Sequence, residues 1–162
     1  MTRHSVREAR PDDLPAILVL YRQMHAESYY REVPLDEERV SVVTMHAITV
    51  ETMFAAVAED EGGVFGVMLG SLAELDFTPQ IVANERVLYI SASKRRLLVG
   101  GRAALDLVGA FLAWASRFQV LEVRAGISAG VEDEGARAFY TRLGFDLHRP
   151  IYRLSRGPHV RH

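Results

Sequence analysis

The sequence predicts an α/β protein, a mixed α+β sheet with helices on both faces. Segments whose apolar residues recur at helical spacing alternate with short apolar runs suited to strands. Their order is strand, two helices, an antiparallel meander, then strand, helix, strand, helix, strand. A chain of 162 residues, 49% hydrophobic and 25% charged, suits one domain with a sizeable core. A single domain over 1–156 is expected, with a frayed tail over 157–162.

The elements follow in order. Val6 to Arg10 suits a first strand. Pro11-Asp12-Asp13 is a helix-start signal, with Asp12 placed to cap. Leu14, Ile17, Leu18 and Tyr21, continuing to Met24 or His25, form an amphipathic helix. Ser28 to Pro34 reads as a loop carrying Tyr29 and Tyr30. Asp36 opens a second helix through Val40, Val43 and Ala47. Met53 to Ala58 suits a strand, Glu61-Gly62-Gly63 a hairpin turn, and Val64 to Leu75 the returning strand. Phe77 to Ala83 contains Pro79 and reads as a loop; Val87 to Ala92 is the next strand. Gly100 and Gly101 precede a long helix with Ala104, Leu107, Val108, Phe111, Leu112 and Ala115 on its apolar side and Trp114 at a sheet-facing edge. Val120 to Ile127 returns as a strand. Asp133 starts a helix striped by Ala136, Phe139, Tyr140 and Leu143, which Gly144 ends. Ile151 to Leu154 suits a last strand.

Composition narrows the function classes. A net charge of −2 argues against a general nucleic-acid binder. Without cysteine there is no disulfide scaffold, thiolate metal site or cysteine nucleophile. The six histidines lack metal-ligand spacing, so no metal is expected. No stretch reaches the roughly 20 apolar residues that span a bilayer, and Met1 to Arg10 has no apolar signal core. A cytoplasmic protein without membrane contact is the expectation.

The most informative stretch is Ile90 to Leu107, ISASKRRLLVGGRAALDL. A strand leads through a basic, glycine-containing turn into a helix. Exposed main-chain N–H groups and the dipole at a helix start attract anions. Glycine lets the backbone approach a phosphate, and Arg95, Arg96 and Arg102 offer charge and forked donors. The plain alternative is a helix start with solvated arginines.

Arg96-Leu97-Leu98-Val99-Gly100-Gly101 resembles the acyl-CoA diphosphate loop Arg/Gln-x-x-Gly-x-Gly/Ala of the Gcn5-related N-acetyltransferases (GNAT). The match is at Arg96 and Gly101, with Arg102-Ala103-Ala104-Leu105 continuing like the helix that follows. Val99 stands where the first glycine is expected; valine narrows the approach and disfavours positive φ. Counted from the strand, Arg95 takes the arginine role instead. Downstream, Ala136 to Phe145 (ARAFYTRLGF) is similar to the family's A-x-x-FY-x-x-LGF segment. Asp133 falls where many relatives have an asparagine near the pantetheine arm. The opening VREARPDDLPAILVL resembles the family's first strand and helix.

The resemblance implies a GNAT-like fold: a central, mostly antiparallel twisted sheet whose fourth and fifth strands are a splayed parallel pair. It implies transfer of acetyl from acetyl-CoA, the co-substrate, to a primary amine by direct attack, with no metal. Main-chain groups around Ile90 and Ala92 would hold the pantetheine amides like an added strand and polarise the carbonyl. Tyr140 corresponds to the tyrosine that protonates the departing thiolate; its ordinary pKa of about 10 exceeds a thiol's roughly 8.5, so it carries a proton at pH 7. Glu85 is the best candidate for the base, with Glu27, His25 and His46 as rivals. Glu27, Glu32 and Asp36 point to a cationic amine, small or peptidic, and family habit favours a homodimer. Two rival readings stand beside this one: a non-catalytic acyl-CoA-binding or regulatory domain of the same fold, motivated by Val99, and an unrelated nucleotide-binding α/β module.

Overall fold

The computed structural model describes residues 3–126 and 133–147. In chain order the elements are β1 (Ser5–Glu8), a 3-10 turn (Pro11–Asp13), α1 (Leu14–Glu27), α2 (Glu37–Thr49), β2 (Met53–Asp60), β3 (Gly63–Leu75) and β4 (Thr78–Ile90). There follow the single turn α3 (Ala92–Arg95), α4 (Leu98–Ala115), a 3-10 turn (Ser116–Phe118), β5 (Glu122–Arg124) and α5 (Asp133–Arg142). The sheet order is β1-β2-β3-β4-β5. Neighbours run antiparallel except β4 and β5, which are parallel.

The two-residue period of β2 builds both faces of the core. Phe54, Ala56 and Ala58 point to the α4 face, where they share a cluster with Leu107, Phe111 and Trp114. Ala55 and Val57 point the other way, to Ile17 and Leu20 of α1 and Ala47 of α2. A strand covered on both faces reads as a continuous apolar run, which is why MFAAVA does not alternate. Trp114 is buried among Phe54, Phe111 and Phe118, with ring centroids 5.3–5.7 Å away. Gly144 takes φ +85° after α5, where Phe145 N–H closes onto the Tyr140 carbonyl at 3.0 Å.

Several boundaries differ from the sequence reading. The stretch 77–83 is strand from Thr78 onward, not loop. Pro79 is tolerated because the β3–β4 register shifts there: Leu75 faces Thr78 and Glu74 faces Ile81, so Pro79 and Gln80 fall between paired positions. β4 ends at Ile90, and Ala92 opens α3. Gly100 and Gly101 lie inside α4, which starts at Leu98. β1 and β5 are shorter than expected. The expected strand over Ile151 to Leu154 and the tail over 157–162 lie outside the described residues.

Contrary to the sequence reading, Leu98–Phe118 is long and apolar enough, by length and composition, to cross a membrane. Its burial of Ala103, Leu107, Val108 and Phe111 against the sheet makes it the core helix.

Asp13, not Asp12, ties the first helix to the sheet. Its carboxylate accepts two bonds from Arg7, at 2.7 and 2.9 Å, and one from Arg10 N–H at 2.7 Å. Arg7 also donates to Glu59 of β2 at 2.8 and 3.0 Å. The Arg7 hydrogen bonds hold the Asp13 carboxyl below its ordinary value against the upward push of burial. Asp13→Asn should therefore cost about 2–3 kcal/mol at pH 7. A depressed folded-state pKa stabilises above the ordinary carboxylate range, and that contribution fades as pH falls through the lower folded value. Urea titrations of wild type and Asp13→Asn should converge on acidification; a constant gap down to the lowest pH at which both fold would contradict this role.

Candidate active site

The site begins where two strands part. β4 and β5 pair only at Val82–Glu122, Ala83–Val123 and Asn84–Arg124. Beyond Asn84, β4 runs from Glu85 to Ile90 without a β5 partner among the described residues. A bulge marks the same point: Gly70 faces Glu85 and Leu69 faces Val87, leaving Arg86 as the extra residue. Ser91 N–H donates to the Phe65 carbonyl of β3 at 2.8 Å. By the alternation of main-chain groups, those of Ile90 face away from β3, toward the side from which β5 has departed.

α5 delivers Tyr140 to this parting. Its hydroxyl donates to the Glu85 carboxylate in a short hydrogen bond. The ring is half-buried between Phe139 and Phe145, at centroid distances of 5.2 and 5.5 Å. Burial, then the charge and hydrogen bond of Glu85, push the phenol pKa well above its ordinary value. The two side chains singled out in the sequence as acid and base are thus direct partners, 55 residues apart in the chain.

The second feature is the start of α4. This 18-residue helix has Leu97 at its N-cap, no side-chain cap and no acidic residue in its first turn. Gly100 and Gly101 N–H groups reach the Leu97 carbonyl at 3.1 and 3.3 Å; those of Leu98 and Val99 have no main-chain acceptor among the described residues. Arg96 and Arg102 flank the start, exposed and without an ion pair among the described residues. Open N–H groups, the dipole and two guanidinium groups suit a phosphate.

The glycines divide the work differently from the sequence reading. A Cβ on Gly100 would sit 2.2 Å from the Lys94 carbonyl oxygen, so the chain's own packing requires this glycine. A Cβ on Gly101 would meet nothing within 4 Å. Val99 packs against the cluster holding Ile90 and Ala103, so its side chain leaves the outer side of the turn clear. Gln119 is the only non-glycine residue with positive φ among the described residues, so Val99 bears no such strain.

Arg95 differs from expectation. Its guanidinium donates to Glu27 at 2.5 Å and lies 5.5 Å over the Tyr89 ring, an anchor across the fold rather than a solvated donor. Glu27 also accepts from the Tyr89 hydroxyl at 2.6 Å. Burial raises the Glu27 pKa, but the Tyr89 and Arg95 hydrogen bonds outweigh it and leave the carboxyl below its ordinary value, a poor base. His25 and His46 occupy the last turns of α1 and α2. Asp36 caps α2 through Arg39 N–H at 2.9 Å, and Glu32 lies 3.7 Å from Arg31. With Glu27 and Asp36 committed, the acidic residues no longer specify a cationic acceptor. Tyr29 and Tyr30 are exposed in the loop after α1. Asp133 is the first residue of α5. Tyr89 was not singled out in the sequence; the lone hydroxyl in the apolar run VLYI was its only signal.

The mixed sheet, its parallel parting strands and the helix that follows the basic turn define the GNAT fold. The solved structures it matches include an aminoglycoside acetyltransferase from an uncultured soil metagenomic sample, in complex with sisomicin. That match has 16% identity and a TM-score of 0.66, over 95% of both chains. A predicted acetyltransferase with acetyl-CoA from Clostridium acetobutylicum has 12% identity and a TM-score of 0.72, over 94% of this chain and 96% of that one. A transcriptional regulator from Bacillus halodurans has 15% identity and a TM-score of 0.71, over 94% and 99%. These are likenesses of fold. No family model and no curated protein matches the sequence.

The two glycines yield opposite expectations. Gly100→Ala should destabilise by about 1–3 kcal/mol through its clash with the Lys94 backbone. Gly101→Ala should stabilise by about 0.5–1 kcal/mol through helix propensity. Chemical denaturation of both variants checks this; a shift of the same sign in both would contradict the assignment.

Proposed function

We propose that the protein is an acetyl-CoA-dependent N-acetyltransferase whose acceptor is a primary amine. The observation that carries this reading is the Tyr140–Glu85 pair at the parting of β4 and β5. The uncapped start of α4 suits the diphosphate, held by Leu98 and Val99 N–H groups with Arg96 and Arg102. Gly101 leaves room for its approach. The edge of β4 at Ile90, which has no β5 partner among the described residues, suits the pantetheine amides, as an added strand, and the carbonyl of the thioester. Ala92 lies on α3, beyond that edge.

The amine loses its ammonium proton to solvent and attacks the carbonyl carbon, forming the C–N bond. Glu85 takes the proton that the nitrogen then sheds. As the C–S bond breaks, Tyr140 gives its hydroxyl proton to sulfur. The raised phenol pKa makes that transfer uphill for Tyr140 alone, since a thiol lies near about 8.5. Protonated Glu85 removes the difficulty by returning its proton to the phenol oxygen in the same hydrogen bond. The pair ends in its starting state, with the amide and free thiol as products.

Tyr140→Phe and Glu85→Gln should each lower kcat about 10²-fold while CoA affinity changes less than about twofold. Because one relay needs both, the double variant should lose little more than either single one. Arg96→Ala should weaken CoA binding about tenfold without loss of stability. Steady-state kinetics over an amine panel with calorimetric CoA titration test the set. Unchanged turnover in Tyr140→Phe would make the tyrosine a packing residue, and unchanged affinity in Arg96→Ala would remove it from the site.

A further inference from the structure

The turn before α4 is too short to hold itself in place. α3 spans Ala92–Arg95, far below the length at which a helix is stable alone. It is fixed by two side chains pulling in different directions. Lys94 donates to Asp60 at 2.5 Å, at the end of β2, and Asp60 also accepts from Gly62 N–H at 2.8 Å. Arg95 donates to Glu27, the last residue of α1. The Lys94 carbonyl accepts Leu97 N–H at 2.9 Å and is the surface against which Gly100 rests. Any movement of Lys94 and Arg95 therefore moves the start of α4.

Glu27 is the centre of the second anchor. One carboxylate oxygen accepts from Tyr89 on β4 and the other from Arg95, while Arg95 lies over the Tyr89 ring. Tyr89 is only 3% exposed, so β4 presents a fixed hydroxyl from a rigid strand. Together the three side chains link the end of α1, the splayed strand and the basic turn.

We infer that Glu27, backed by Tyr89, is a positioning residue that sets the diphosphate-binding turn through Arg95, and that it takes no part in proton transfer. The inference rests on the proposed acetyl-CoA site. It predicts a loss confined to the end of the co-substrate that carries phosphate. A misplacement of about an ångström costs a bound group much of its stabilisation, so Glu27→Gln should raise KM for acetyl-CoA about tenfold with kcat within about twofold. For S-acetylpantetheine, which lacks the diphosphate, KM should move less than about twofold, because that thioester has no phosphate for the turn to hold. Tyr89→Phe, which keeps the ion pair, should shift KM for acetyl-CoA in the same direction by a smaller factor.

Steady-state kinetics of wild type and both variants with the two thioesters, alongside their melting temperatures, decide the matter. Equal losses on both thioesters, or none on either, in folded Glu27→Gln would overturn the positioning role. Should that variant not fold, an unchanged acetyl-CoA KM in Tyr89→Phe would overturn it as well. If wild type itself handles acetyl-CoA no better than S-acetylpantetheine, the diphosphate site falls and the inference falls with it.

Discussion

A folded chain must pair its main-chain N–H and C=O groups or leave them to a ligand or water. The architecture of the site follows from two places where internal pairing stops. Among the described residues, β4 has no parallel partner after Asn84, and α4 begins at Leu98 without a capping side chain. Both openings have specific causes. Arg86 is inserted into β4 as a bulge at the point of parting, and Leu97 at the N-cap has no side-chain oxygen to offer the first turn. Ile90, Val99, Ala103 and Tyr140 pack on one apolar cluster, so the same core fixes the strand edge, the helix start and the phenol.

Local rigidity makes those openings usable. An anion gains most from N–H groups that are already aimed, since ordering them on binding would cost conformational entropy. Here the aiming is done by contacts that face away from the opening: Val99 into the core, Gly100 onto the Lys94 carbonyl, Lys94 to Asp60 and Arg95 to Glu27. Two of the three arginines on this stretch, Arg96 and Arg102, are then left on the outside. The Tyr140–Glu85 bond plays the corresponding part at the other end. It helps keep the phenol protonated and, in the proposed reaction, joins it to the group that would reprotonate it after Glu85 has taken the amine's proton.

Much of this was legible in the sequence, for identifiable reasons. Helices α1, α2 and α4 carry apolar stripes at helical spacing, and Gly144 marks the end of α5 by a conformation that glycine adopts readily. The segments around Arg96 and Tyr140 stood out because short motifs keep their residue types together. Longer-range pairings left no such trace. That Arg95 turns to Glu27 depends on α1 ending beside β4, and that Gly100 serves its own backbone depends on the shape of a single helical turn. Pro79 signals a loop in the sequence, whereas a register shift between β3 and β4 gives it a place without a ladder bond. Val99 departs from the motif's glycine, and only the three-dimensional fold shows that its side chain packs against the core.

The central claim is that open main-chain N–H groups at the start of α4 hold the diphosphate. It is tested most directly by following the backbone amide signals of the protein by ¹H–¹⁵N NMR during titration with CoA. The account predicts saturable shifts at Leu98 and Val99, whose N–H groups have no main-chain acceptor among the described residues, with the side-chain signals of Arg96 perturbed at the same concentrations. Saturable CoA binding that leaves Leu98 and Val99 unmoved, or no CoA binding at all, would contradict it.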